Sequence, residues 1–235
     1  MPRQAPILAV GADGCPDGWV AVACENGRFS AIAHLPDIAS LVATFPQAEA
    51  FGIDIPLSFP TDSAVRPTDR EARRRLSSSA ASLFPVPPRI VLEAATYADA
   101  NALSKSEFGR GISRQSYALR SKILEAVGFI EATGENRLYE VHPELSFRLL
   151  ARNFGHEVTA SKKTWTGAIE RLQLLEAAAL APPLEASPPL GRAAIDDVLD
   201  AAVAAWTAHR ITTSSAETIA PPAEGDEPRT GAILA

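Results

Sequence analysis

Four aspartates, in three distant stretches of the chain, carry the chemistry this sequence offers: Asp13, Asp54, Asp197 and Asp200. Asp13 follows an apolar run at residues 7–10, and Asp54 closes another at 50–55. Strand ends along one edge of an α/β sheet are where ligand sites form. Asp197 and Asp200 are three residues apart on an expected helix and so share a face. Four carboxylates meeting at one place repel one another, and their pKa values rise unless a cation sits among them. All-oxygen donors suit Mg²⁺ or Mn²⁺ rather than zinc. Two such ions, about 3.5–4 Å apart, could activate a water and stabilise the leaving oxygen of a phosphodiester. Plainer roles stand beside these. Asp13 next to a glycine suits a turn, Asp54 could cap the turn before Pro56, and Asp196 or Asp197 could be a first-turn helix acid. Asp200 is harder to explain that way, because it sits inside the helix among Ala, Val and Leu.

A second cluster is Glu140-Val141-His142-Pro143-Glu144. Strand alternation places Glu140 and His142 on one side. Glu140 could complete a metal shell, and His142 could move protons or orient a ligand; equally, Glu140 could pair with an arginine and His142 could be an edge histidine. Basic residues crowd the stretch between Asp54 and Glu140. Among them Arg73, Arg89, Arg114 and Lys122, with Ser113 and Gln115, are the candidate phosphate contacts. They are expected on the rim of the acidic site; the competing reading is a solvated helical face with surface ion pairs. There is no dense His/Cys spacing for zinc, no Gly-x-Ser-x-Gly elbow and no nucleotide-binding glycine loop.

The elements that must hold these residues are legible from pattern. Strands are expected at 7–10, 19–24 and 28–33. Asn26-Gly27 between the second and third is a strong hairpin signal, so the chain opens as an antiparallel meander. A helix at 38–45 leads to the buried strand 50–55, which Pro56 stops and which should lie parallel to the first. Helices are expected at 68–76, 94–104 and 120–133, and residues 77–82 read as loop. A short strand at 138–141 precedes a helix that Pro143 starts and that runs to about 151. A further helix lies within 162–179, and a Pro-rich linker covers 182–189. The last helix spans 193–209, where Ile195, Val198, Leu199, Ala202, Val203 and Trp206 recur at helical spacing as a buried stripe. A short strand is expected at 218–220.

Composition narrows the class. Hydrophobic residues are 46% of 235, enough for a substantial core, and the net charge is −6. That charge disfavours non-specific nucleic-acid binding by the whole surface but leaves room for a basic groove beside an acidic site. Cys15 and Cys24 are too few for a disulfide scaffold and are expected as buried thiols. The N-terminal apolar run is too short for a signal peptide, and no segment suits a membrane span, so no membrane association and a cytoplasmic location are expected. Oligomeric state is not readable.

These motifs resemble the predicted RNase H-like nuclease family known as domain of unknown function 429. The resemblance rests on Gly11-Ala12-Asp13-Gly14-Cys15-Pro16-Asp17-Gly18-Trp19, Ile53-Asp54-Ile55-Pro56, Asp69-Arg70-Glu71-Ala72-Arg73, and 82–89 with its Phe84-Pro85-Val86-Pro87-Pro88-Arg89. It continues through Gly111-Ile112-Ser113-Arg114-Gln115, Lys122-Ile123-Leu124-Glu125, 140–144 and Asp196-Asp197-Val198-Leu199-Asp200-Ala201. It implies an α/β, RNase H-like fold with a five-stranded mixed sheet flanked by helices. On that basis 1–212 is expected to be one domain carrying a helical insertion at about 60–135, with a partly ordered tail at 213–235. Resolvases of that superfamily place acids on the first strand, the fourth strand and twice on the last helix; the matching residues here are Asp13, Asp54, Asp197 and Asp200. The fourth-strand acid is usually Glu, and the shorter Asp54 leaves the metal geometry open. The expected activity is metal-dependent cleavage of DNA or RNA with Mg²⁺ or Mn²⁺. Phosphoryl transfer or hydrolysis on a nucleotide or small phosphorylated molecule, and a non-enzymatic binding protein, are the alternatives, because fold does not fix function.

Overall fold

A computed structural model describes residues 5–60, 65–76, 83–183, 189–221 and 232–235. The expected loop at 77–82 and most of the Pro-rich linker lie outside them. In chain order the first elements are β1 (Leu8–Cys15), β2 (Gly18–Glu25), β3 (Arg28–Leu35), α1 (Ile38–Thr44) and β4 (Ala50–Ile53). Then come α2 (Pro67–Leu76), α3 (Arg89–Leu92), α4 (Tyr97–Phe108), α5 (Arg114–Ala118) and α6 (Arg120–Thr133). The chain finishes with β5 (Leu138–Glu140), α7 (Pro143–Asn153), α8 (Trp165–Ala177), α9 (Ile195–Thr212), β6 (Thr218–Ala220) and β7 (Ile233–Leu234).

These elements fall into two compact units, the first made of 1–54, 137–217 and 234–235, the second of 55–136 and 218–233. The first contains a five-stranded mixed sheet of order β3-β2-β1-β4-β5 flanked by helices. The β1–β2 and β2–β3 pairs are antiparallel, while β4 runs parallel to both β1 and β5. The meander closes where expected. Asn26 and Gly27 have φ of 49° and 74°, the paired left-handed geometry of a two-residue hairpin turn. The Asn26 side chain accepts from Ile7 N, pinning the turn to the start of the sheet. Every residue of β2 but Glu25 is buried, as a central strand covered on both faces requires.

Helix α9 packs on β1, β2 and β4, and two glycines set how closely. Gly11 and Gly52 are register partners on β1 and β4. A Cβ on Gly11 would come within 2.0 Å of Ala205 N, and one on Gly52 within 2.6 Å of Ala204 O. The alanine-rich face of α9 therefore lies backbone-close on the strands that lead to Asp13 and Asp54. One expected stripe residue departs from this: Ile195 is 71% exposed. It is the first residue of α9, a turn before the helix face meets the sheet. Leu199, Ala202 and Val203 are buried as the spacing predicts, and Trp206 is half-buried.

The second unit carries α2 to α6 and most of the residues after 217. Helix α4 begins at Tyr97, three residues later than expected, because the Thr96 hydroxyl caps it by accepting from Asp99 N. It ends at Gly109 in the left-handed conformation. Short helices α3 and α5 fall where pattern shows none, each too brief to build a periodicity. Cys15 and Cys24 are both buried and neither forms a disulfide. Among the described residues, no helix is long and apolar enough to cross a membrane.

Candidate metal centre

Three of the four expected aspartates meet. Carboxylate oxygens of Asp13, Asp54 and Asp200 lie within 4.8 Å of one another, a candidate metal-binding cluster inside the first unit. Asp13 is on β1, and Asp54 stands one residue past the end of β4. Its backbone N–H still bonds Ala12 O at 3.0 Å, so the parallel register carries both side chains to the same edge. Asp200 comes from α9, one residue before Ala201, whose carbonyl would meet a Cβ on Gly11. Close helix–sheet packing is therefore what brings the third carboxylate in. Asp13 and Asp54 are half-buried and Asp200 is buried.

Among the described residues the cluster is short of positive charge. Burial pushes the Asp13 carboxyl well above the ordinary range, and the charges of Asp54, Asp200 and Asp197 push it further. Asp54 rises to about 7, chiefly by burial and then by Asp200, with Glu140 and Glu144 adding to it. Asp200 rises to about 6, because burial outweighs the help it receives from Lys162. Lys162 donates a hydrogen bond to Asp200 Oδ2. Burial works against its ammonium, but Asp200, Asp54 and Asp13 together hold its pKa above that of an ordinary lysine. Against three carboxylates, one ammonium leaves excess negative charge when all are ionised. Asp200 Oδ1 is buried and, among the described residues, accepts no hydrogen bond, which is costly for a carboxylate oxygen unless a ligand answers it. Oxygen donors with one lone pair unanswered fit a hard divalent cation.

The other acids of the expected site are placed differently. Asp197 lies on the same helix, but its carboxylate accepts from Ala194 N at 2.8 Å, closing the first turn of α9. Its charge still reaches Asp13. Glu140, the last residue of β5, is buried, and its charge reaches Asp54. His142 precedes α7 rather than continuing the strand. Burial, then the Lys162 charge, lowers its pKa to about 4, so its imidazole is neutral at pH 7. Its Nδ1 is buried without a hydrogen-bond partner.

The expected phosphate contacts all belong to the second unit, where several are engaged. Arg89 pairs with Glu131 and lies over the Phe59 ring, 4.6 Å from its centroid. Arg114 lies over Tyr97, also at 4.6 Å. The Ser113 hydroxyl caps α5 by accepting from Ser116 N. Lys122 comes within 3.9 Å of Glu125. Arg73 reaches Leu83 O at a long 3.5 Å, and Gln115 is exposed.

Two features of the site carry no signature in the sequence. Lys162 lies 38 residues from Asp200 and sits in an ordinary Ser-Lys-Lys-Thr stretch before α8. The other is a buried pair in which Arg171 Nη2 donates to both oxygens of Glu144, at 3.0 and 2.9 Å. Only the placing of Glu144 in the second acidic motif hinted at it.

Neither the curated proteins nor the solved structures contain a match to this chain. The family model described as "Protein of unknown function (DUF429)" matches residues 11–225, a span that takes in Asp13, Asp54, Lys162 and Asp200, and the chain belongs to that family.

Proposed function

We propose that this protein is a metal-dependent phosphodiesterase acting on DNA or RNA, built on an RNase H-like arrangement of strands with residues 1–212 as one domain and about 60–135 as a helical insertion. The observation that carries the reading is the meeting of Asp13, Asp54 and Asp200 with one buried oxygen unanswered. Those three would hold Mg²⁺ or Mn²⁺, with Asp197 and Glu140 beside them. A bound ion of that kind supplies Lewis acidity and a water of lowered pKa. Lys162 is partly exposed and can donate to a phosphate oxygen while keeping Asp200 ionised. His142, neutral at working pH, suits orienting a group better than shuttling a proton. Arg73, Arg89, Arg114 and Lys122, with Ser113 and Gln115, would hold flanking phosphates.

One observation favours the smaller substrate of the second reading, hydrolysis or transfer on a nucleotide or other small phosphorylated molecule. Arg89 already has a ring and an ion-pair partner, Arg114 has a ring partner, and the net charge of −6 favours a small substrate over a long polyanion. A panel of single-stranded, duplex and branched DNA and RNA, together with nucleotides, incubated with purified protein and Mg²⁺ or Mn²⁺, separates the two. The nuclease reading expects chain cleavage that needs metal and disappears in Asp54→Asn. Turnover of nucleotides alone selects the second reading, and no metal-dependent turnover of anything on the panel overturns both.

A further inference from the structure

The motif that follows Asp13, Gly14-Cys15-Pro16-Asp17-Gly18-Trp19, is unused by the proposed reaction. Cys15 ends β1 and pairs with Gly18 at the start of β2, so Pro16 and Asp17 form the tip of a tight hairpin. His34, next to last in β3, sits opposite Val20. The meander thus brings a thiol, a carboxylate and an imidazole from three neighbouring segments to one corner of the first unit. Their Sγ, Oδ and Nε2 atoms lie within 4.8 Å of one another.

We propose that Cys15, Asp17 and His34 form a second metal site, for a zinc-class ion, independent of the aspartate cluster. Spacing is the first argument. A tetrahedral ion with bonds of about 2.3 Å to sulfur and about 2.0 Å to nitrogen or oxygen sets its ligand atoms roughly 3.3–3.5 Å apart. Cys15 Sγ is 3.6 Å from Asp17 Oδ1, and His34 Nε2 is 3.1 Å from the same oxygen. Small adjustments convert these two contacts into edges of a coordination tetrahedron. Donor chemistry is the second argument. A thiolate with an imidazole and a carboxylate selects Zn²⁺ over Mg²⁺, the reverse of the all-oxygen cluster.

The surroundings are built to keep that corner clear and oriented. A Cβ on Gly191 would sit 2.6 Å from His34 Nε2 and 2.9 Å from Asp17 Oδ2. One on Gly18 would sit 3.0 Å from the same nitrogen and 2.2 Å from Leu35 O. Glycine at both positions avoids a side chain that would collide with the imidazole, whose Nε2 faces Asp17 Oδ1. Arg192 N donates to Asp17 Oδ1 at 3.1 Å, the kind of outer hydrogen bond that fixes a metal-binding carboxylate. Cys15 is buried at 4% exposure while Asp17 is exposed, so the site is anchored on its inner side and open on its outer one. Three protein ligands with an open position leave room for a water or an incoming donor. On binding, the Cys15 thiol gives its proton to solvent and the sulfur takes the metal.

Co²⁺ is the probe, because a cobalt–thiolate bond gives a charge-transfer absorption that oxygen and nitrogen ligands do not. Reduced full-length protein should show that band saturating at one ion per chain, and Zn²⁺ should displace it while Mg²⁺ does not. The band should vanish in Cys15→Ser. Affinity should fall at least about tenfold in His34→Ala and Asp17→Asn, the size of loss that even outer-shell changes produce. Asp17 is exposed, so Asp17→Asn keeps the test valid should Cys15→Ser fold poorly. Asp54→Asn should leave the band intact, which keeps this result separate from the fate of the phosphodiesterase reading. Absence of a thiolate band in the unmutated protein overturns the proposal. So does a band that survives Cys15→Ser, or full affinity in Asp17→Asn.

Discussion

Asp69 and Asp200 are both buried carboxylates with a basic partner, and they are treated in opposite ways. Asp69, in the second unit, receives Arg66 Nε at 3.1 Å and Nη2 at 2.6 Å on one oxygen, and Val86 N at 2.9 Å on the other. Both oxygens are answered. Asp200, in the first unit, receives Lys162 on Oδ2 and, among the described residues, nothing on Oδ1, and it faces Asp13 and Asp54. Burial alone therefore does not mark function. What separates the two is whether the protein completes the carboxylate's hydrogen bonds or leaves a charge and an oxygen outstanding. Asp69 ties Arg66 and Val86 into one structure; Asp200 is left for something else to complete.

The largest expected effect comes from breaking the satisfied pair. Asp69→Ala removes the carboxylate that Arg66 and Val86 N both donate to, and should cost about 3–5 kcal/mol, the usual cost of breaking a buried ion pair. Chemical denaturation measures it, and divalent-metal affinity of the folded fraction should not change. Loss of metal binding in that variant would break the contrast drawn between the two aspartates.

Lys162→Met should come next. It removes the ammonium that Asp200 is bonded to, so the metal-free protein loses stability, by less than the Asp69 variant because Lys162 is 27% exposed on its side chain. Added Mg²⁺ should raise the melting temperature of Lys162→Met more than that of the unmutated protein, because the ion replaces the missing positive charge. Equal shifts in both proteins would mean that Lys162 and the metal do not share the cluster.

The pH dependence is smaller and has a definite sign. A carboxyl whose folded pKa lies above its unfolded value of 3.8 takes up protons on folding between the two, so stability rises as pH falls through the folded pKa. Asp54, at about 7, should make the metal-free protein melt at a higher temperature at pH 6.5 than at pH 8, with Asp13 acting in the same direction. Below that range His142 opposes the trend, since its folded pKa of about 4 lies under its usual 6.5. Saturating Mg²⁺, or Asp54→Asn, should flatten the difference. A melting temperature that rises from pH 6.5 to 8 would contradict the raised carboxyl values.

How much of this was legible in sequence depends on the range of the contact. The meander was readable because Asn26-Gly27 is a local signal between alternating apolar runs, and α7 because Pro143 fixes its first turn. The approach of Asp13, Asp54 and Asp200 was expected from strand ends and helix spacing, together with the family resemblance. Lys162 was not readable: its position depends on how the segment before α8 packs beside α9, which no periodicity encodes. Nor was the hydrogen bond that Ala194 N donates to Asp197, although a first-turn acid was the plainer of its two readings. The corner of Cys15, Asp17 and His34 was hidden for the same reason, since His34 reaches it only through the pairing of β3 with β2.

The smallest effect separates the two acids of α9. Asp197→Ala removes a bond to the helix start and should cost about 1 kcal/mol, the usual worth of a capping interaction. Metal affinity should fall modestly, as for a neighbouring charge. A loss of affinity as large as that of Asp54→Asn would make Asp197 a ligand and the cluster four-sided.

Calorimetric titration of the unmutated protein and Asp54→Asn with Mg²⁺ and with Mn²⁺, at pH 8, shows whether Asp13, Asp54 and Asp200 hold a divalent ion. The unmutated protein should bind saturably and Asp54→Asn should not, while the metal-free melting temperature of Asp54→Asn is unchanged or raised because repulsion with Asp13 and Asp200 is relieved. Absence of saturable binding in the unmutated protein, or a metal-free Asp54→Asn that melts well below it, would mean that the three aspartates are held for structure, with Lys162 as their cation.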